Sequence, residues 1–170
     1  MARLAKIIDR VFMLACLLLG YAIWNAGTHT NTVYTADYFR TLIEAADELE
    51  QYQVRFQHIA LAQALHETDE FRSDICRECK NLFGMKVASS RPTTSIGKCR
   101  GHARYRSYSD SVLDYAEWQM KYLPRYEKRF GAVTTNEQYY RFLKAQGYAE
   151  DEQYIEKLRQ WVKVIAPDTV

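Results

Sequence analysis

The sequence predicts a mainly α (α+β) domain: a helical body with a small β-hairpin lobe, preceded by an N-terminal hydrophobic helix. Three observations carry this. Between residues 36 and 165, apolar residues recur at helical spacing in several separate runs. Residues 86–102 break that pattern with Ser, Thr, Pro and Gly and no helical period. Val11 to Trp24 is one apolar stretch that follows Arg3, Lys6 and Arg10.

Basic residues before an apolar segment keep the amino end in the cytoplasm and send the remainder across the membrane. The stretch is long for a signal-peptide core and short for a span of ~20 residues. Gly20 and Ala22 suit cleavage after Ala22, while Ile7 and Ile8 extend the helix as an uncleaved anchor. Both options stand. Residues 1–27 are therefore a signal peptide or membrane anchor, 28–35 a short tether, and 36–167 the folded domain. Either way that domain is exported, periplasmic or extracytoplasmic, and anchored at the inner membrane or secreted.

Within the domain, Thr35 or Asp37 caps a helix to about Gln51, with Phe39, Leu42, Ile43, Ala46 and Leu49 on one face. A second helix covers Phe56 to Glu67, and a short helix or turn lies within Phe71 to Cys79. Tyr105 to Tyr108 reads as one strand of a hairpin whose partner is Phe83 to Val87. Ser109 or Asp110 caps the next helix, which runs to about Tyr122 with Val112, Leu113, Ala116 and Met120 inward. Asn136 to Gln146 is stopped by Gly147, and Asp151 to Ile165 closes the fold before Pro167.

The 170 residues carry a net charge of +2, which suits one domain with an ordinary core. No phosphate-binding glycine loop is present, and no cofactor is expected. The thirteen tyrosines suit a sugar-binding cleft, since a phenol ring stacks on a pyranose while its hydroxyl bonds the rim. Glu67 ends the apolar run from His58. A carboxyl there can be half-desolvated, which would raise its pKa and let it hold the proton that a glycosidase general acid must deliver, although an acid ending an amphipathic helix is by itself more often a solvated surface group. Asp69 and Glu70 are rivals by proximity, read as solvated carboxylates in the following turn.

Further blocks follow in order: Asn81-Leu-Phe-Gly-Met-Lys86, Ala103-Arg-Tyr-Arg-Ser-Tyr108, Asp114-Tyr-Ala116, and Gln146-Gly-Tyr-Ala-Glu-Asp151 with Tyr154. Over residues 36–165 this order resembles the peptidoglycan endo-β-N-acetylglucosaminidases of the autolysin and flagellar-assembly type. The resemblance implies a lysozyme-like fold, with a groove between a helical lobe and a β-lobe. It implies cleavage of the β-1,4 bond after N-acetylglucosamine in peptidoglycan. It places Glu67 and Tyr148 at catalytic positions and Asn81, Phe83, Gly84 and Tyr108 along the substrate. Tyr154 and Trp118 read as structural.

One departure from the family stands out. Lys86 to Arg106 contains no Asp or Glu where several members carry a second acid. Either the substrate's acetamido group assists Glu67, or Asp110 or Asp151 orients a water. The same segment is basic, with Lys86, Arg91, Lys98, Arg100, Arg104, Arg106 and His102, and would attract the carboxylates of stem peptides. Nucleic acid is not expected as a partner. Alternative functions are a lytic transglycosylase or muramidase, or a non-catalytic membrane-tethered peptidoglycan-binding module. For Cys76, Cys79 and Cys99, a disulfide from Cys99 to one of the other two ranks ahead of a zinc site completed by His102.

Overall fold

The structure is a computed structural model that describes residues 35–148 and 153–169. The leader or anchor, the tether up to residue 34, and the Asp151 cap lie outside the described residues. Among the described residues, no helix is long and apolar enough to cross a membrane.

Helix α1 (Ala36–Gln51) starts on Thr35, whose hydroxyl accepts from the Tyr38 N–H. Its buried stripe is Tyr38, Leu42, Ala45 and Leu49, rotated slightly from the expected face so that Phe39 and Ala46 flank it. Gln53 and Phe56 then adopt left-handed backbone and turn the chain sharply into α2 (Gln57–Glu67). Every residue from Ile59 to Leu65 in α2 is buried. A helix that is apolar all round has no solvent face and becomes the centre of the domain. Helices α1 and α6 (Tyr154–Ile165) pack on it.

The short helix α3 (Asp74–Cys79) is capped by Ser73. The β-lobe follows. Its two strands, β1 (Gly97–Cys99) and β2 (His102–Arg104), pair antiparallel with Lys98 opposite Ala103. The hairpin expected between Phe83–Val87 and Tyr105–Tyr108 does not form. A tight turn at Arg100 and Gly101, both at positive φ, joins β1 directly to β2, whose first residue lies three positions before the expected Tyr105. Ser107 then caps the next helix, leaving no room for a strand to Tyr108. The 83–87 segment still touches the hairpin, because Ala103 N–H donates to the Met85 carbonyl at 2.8 Å.

Helix α4 (Tyr108–Phe130) is capped by Ser107, not by Ser109 or Asp110, and runs past Pro124 well beyond Tyr122. Buried Leu123 and the edge contact of Tyr126 on Phe142 (5.5 Å) hold its last turns against the preference of proline. Its inner face also differs from expectation. Met120 is 60% exposed, while Asp114 and Gln119 point inward. Helix α5 (Asn136–Ala145) opens on a Thr135/Gln138 capping box.

Polar side chains fasten the β-lobe to the helices. The buried Asn81 amide donates to the Met85 and Ala103 carbonyls and accepts from the Phe83 and Met85 N–H groups, so all its hydrogen-bonding capacity is used. Arg91 makes a bidentate pair with Asp114 at 2.7 and 2.8 Å, with both side chains withdrawn from water. Arg91 is thus a structural tie and not part of a solvated basic face. Arg100 is paired with Glu78 and Asp74. A Cys79–Cys99 disulfide joins α3 to β1 and leaves Cys76 as a buried thiol. This is the expected bridge and odd thiol, and it consumes two of the ligands that a zinc site would need.

The bridge closes a 20-residue separation. Replacing Cys79 and Cys99 by Ser is expected to cost about 3 kcal/mol of stability. Urea denaturation of the variant and of reduced wild type should give matching losses.

Candidate active site

Glu67 is the last residue of α2, and the chain stops the helix there by an uncommon route. Asp69, Glu70 and Phe71 all have positive φ, one left-handed turn built from non-glycine residues. Such backbone costs on the order of 1–3 kcal/mol per residue and persists only where surrounding bonds over-determine it. Thr68 supplies them. Its hydroxyl donates to the Ala64 carbonyl at 2.6 Å and accepts from Phe71 N–H at 2.9 Å, and its carbonyl accepts from Ser73 N–H at 2.8 Å. The turn faces Asp69 and Glu70 away from Glu67, onto Arg72.

Glu67 opens into a cleft of about 750 Å³ between the helices and the β-lobe. Phe83 to Arg91 forms one wall, and Trp118, Tyr122, Gln146 to Tyr148 and Tyr154 form the other. Glu67 is the one carboxyl among the described residues that line it. Burial pushes its pKa up from the usual 4.5, and a hydrogen bond donated by Tyr154 Oη to Oε1 (2.9 Å) offsets part of that rise. The negative end of the α2 dipole acts in the same direction as burial.

Gly84 closes on the other oxygen. It has φ +62°, and a Cβ there would sit 2.9 Å from Glu67 Oε2. Glycine is required twice, by the backbone and by the carboxyl that it covers.

Other candidate residues fall in different places. Tyr148 lies in the cleft wall, edge-on to Trp118 at 5.0 Å, with its hydroxyl donating to Met85 Sδ and the Phe83 carbonyl. Phe83 touches the cleft but stacks on Tyr115 at 4.2 Å, so it is largely core. Trp118 is 8% exposed and packs among Tyr115, Phe142 and Tyr148. Asn81 positions the Phe83–Met85 turn from beneath. Tyr108 does not reach the cleft. It begins α4 behind the β-lobe, against Cys76 and under the Lys80 ammonium, because the strand that would have carried it forward ends at Arg104. Asp110 lies in the first turn of α4, outside the cleft lining, with its carbonyl accepting from Thr94.

Tyr154 had read as structural, yet it touches the acid directly. Its place on the buried stripe Tyr154, Leu158, Val162 was the available signal, since a buried phenol needs a hydrogen-bond partner.

The Glucosaminidase family model, described as mannosyl-glycoprotein endo-β-N-acetylglucosaminidase, matches residues 43–166. The chain belongs to this family. It is therefore a glycoside hydrolase by family. Two solved structures share the fold. One is from a type VI secretion system effector–immunity complex of Pseudomonas protegens, at TM-score 0.56 and 14% identity, covering 79% of this chain and 95% of that one. The other is the catalytic domain of the autolysin Auto from Listeria monocytogenes, at TM-score 0.50 and 21% identity, covering 86% and 93%. No curated protein matches the sequence.

Two outcomes follow from this geometry. Gly84→Ala should remain folded, losing about 1 kcal/mol, but lose about 100-fold in activity as the new methyl displaces the carboxyl; circular dichroism and turnover assays separate the two effects. Glu67→Gln should gain stability relative to wild type as pH rises above 4.5. Between the unfolded pKa and the raised folded pKa the native state binds more protons, so wild-type stability falls with pH while that of the variant does not. The difference should level off above the folded pKa in urea titrations at stepped pH.

Proposed function

We propose that this glucosaminidase-family protein is a peptidoglycan hydrolase that cleaves the β-1,4 bond after N-acetylglucosamine, with Glu67 as general acid. The observation that carries this reading is one carboxyl among the described lining residues, its pKa raised by burial, at the edge of a cleft of about 750 Å³. Glu67 donates its proton to the glycosidic oxygen as the bond to the anomeric carbon breaks. Tyr148 and the Phe83–Gly84 turn flank the sugar on the two walls.

With no second carboxyl among the described lining residues, the acetamido oxygen of the substrate is the nearest group to hold the anomeric carbon while water enters. Release of product with retained anomeric configuration, read by NMR, supports that step, and inversion excludes it. Lys86, exposed on the β-lobe wall, gives the anionic stem peptides a cation to meet. The N-terminal residues 1–27 serve as leader or anchor and place the enzyme where peptidoglycan lies.

The deciding experiment digests purified peptidoglycan with residues 28–170, wild type beside Glu67→Gln, and identifies new ends by mass spectrometry after borohydride reduction. Reduced N-acetylglucosamine ends from the wild type alone are the expected result. Reduced or anhydro-muramic ends move the enzyme to the muramidases or lytic transglycosylases. Folded protein that binds the wall without making ends identifies a binding module.

A further inference from the structure

Behind Glu67, an unbroken line of hydrogen bonds crosses the helical core. Tyr154 Oη donates to Glu67 Oε1 (2.9 Å) and accepts from Gln63 Nε2 (3.2 Å). Gln63 Oε1 accepts from Tyr115 Oη (2.7 Å), which lies 2.9 Å from Tyr139 Oη. Tyr139 Oη accepts from Gln119 Nε2 (2.7 Å). Gln119 ends the line on the Arg55 backbone, accepting from its N–H (2.7 Å) and donating to its carbonyl (2.9 Å). Gln63, Tyr115, Gln119, Tyr139 and Tyr154 are all buried, so water does not compete for these bonds.

A hydroxyl or an amide can ordinarily be turned either way. A backbone N–H can only donate and a carbonyl can only accept. Arg55 therefore fixes the Gln119 amide with its nitrogen toward Tyr139. Tyr139, facing that nitrogen, has Tyr115 Oη as its one acceptor in the line, so the single Tyr115 proton goes on to Gln63 Oε1. Gln63 then turns its nitrogen to Tyr154, and the Tyr154 proton has one acceptor left, Glu67 Oε1. We infer that this line has one polarity, set at Arg55, and that it assigns the acid proton of Glu67 to Oε2, the oxygen against Gly84, with Tyr115 as a positioning residue that does not itself line the cleft.

An Oε1 that receives a proton from Tyr154 is a poor place to carry one of its own. The transferable proton thus faces the cleft wall and not the core. Removal of the Tyr115 hydroxyl frees the Gln63 amide to reverse, and its oxygen then draws the Tyr154 proton away from Glu67. Removal of the Tyr139 hydroxyl cuts the line from Arg55 but also takes away the one other acceptor for the Tyr115 proton, so Gln63 keeps its orientation. The inference rests on Glu67 being the general acid only for its catalytic consequence. The placement of the proton is a property of the free protein.

The test follows the Glu67 carboxyl by ¹³C NMR, assigned by its loss in Glu67→Gln, alongside kcat and KM. The other titratable groups sharing the cleft are His66 on the same helix, Lys86 and Arg91 from the β-lobe, Tyr122 from α4, and Tyr148 and Tyr154; all are retained in Tyr115→Phe. Tyr154→Phe should move the Glu67 titration, and the alkaline limb of kcat, to higher pH and lower kcat by about tenfold with KM little changed. Tyr115→Phe should move both in the same direction by less, and the double variant should match Tyr154→Phe alone. Tyr139→Phe should leave the titration in place.

A Tyr115→Phe titration identical to wild type, or a shift that adds in full to that of Tyr154→Phe, overturns the inference. In the unaltered protein, the Gln63 side-chain amide protons should show nuclear Overhauser contacts to the Tyr154 ring and not to the Tyr115 ring. The reverse pattern overturns the polarity without any variant. Turnover surviving in Glu67→Gln defeats the general-acid reading and leaves these NMR outcomes to decide the proton placement separately.

Discussion

A helix buried on every side constrains the whole domain. From Ile59 to Leu65 every residue of α2 is buried, so α1, α6 and the aromatic cluster of α4 and α5 must surround it. Its backbone groups are satisfied internally until its C-terminal end, where the carbonyls and the dipole emerge. Glu67 stands at that end. Because the helix is fixed by apolar contacts along its length, its terminal side chain inherits the rigidity of the core, which a residue on a mobile loop lacks. The left-handed turn at 69–71 then removes the chain from the cleft in three residues.

The β-lobe is held on a different principle. Two three-residue strands bury little apolar surface, and a lone hairpin is marginal in water. Attachment comes instead from Asn81, the Arg91–Asp114 pair with Tyr105 Oη donating to Asp114 at 2.8 Å, and the disulfide. A buried ion pair adds little net stability after its desolvation cost, yet it tolerates only one geometry. That geometry sets where Gly84 and the 86–91 wall stand relative to Glu67. The cleft is therefore shaped by directional contacts on one side and by close packing on the other.

The same division explains what could be read in the sequence. Helices were legible because their apolar period is local, and Thr35, Glu67 and Gly147 marked their ends correctly. The hairpin was not, since strands of three residues carry no alternation to count and the turn at Arg100-Gly101 outweighed the aromatic run at Tyr105–Tyr108. The half-buried setting of Glu67 was legible from its position ending an apolar run, and Gly84 as a tight bend, but the approach of Gly84 to the carboxyl was not. Tyr154 and Gln63 were missed for a related reason. Their partners lie 87 and 91 residues away, and a buried polar residue shows only that it has a partner, not which one. Asp114 sat in a quoted block without a role until Arg91, assigned to a solvated patch, met it in the core.

With one carboxyl among its described lining residues, the cleft itself governs when Glu67 is charged. Two carboxylates placed together raise a pKa by mutual repulsion whether or not substrate is present. Among the described residues of this cleft no second carboxylate does so, and Glu67 owes its raised pKa first to burial. Burial is a cause that a ligand in the cleft would increase. On the proposed function, a sugar seated between Trp118 and the 86–91 wall would exclude water from Glu67 and disfavour the carboxylate further. On that reading substrate binding and protonation of Glu67 would be coupled in the same direction. The absence of acids from Lys86 to Arg106, which the sequence presents as a missing catalytic part, leaves burial and not a neighbouring carboxylate to raise that pKa.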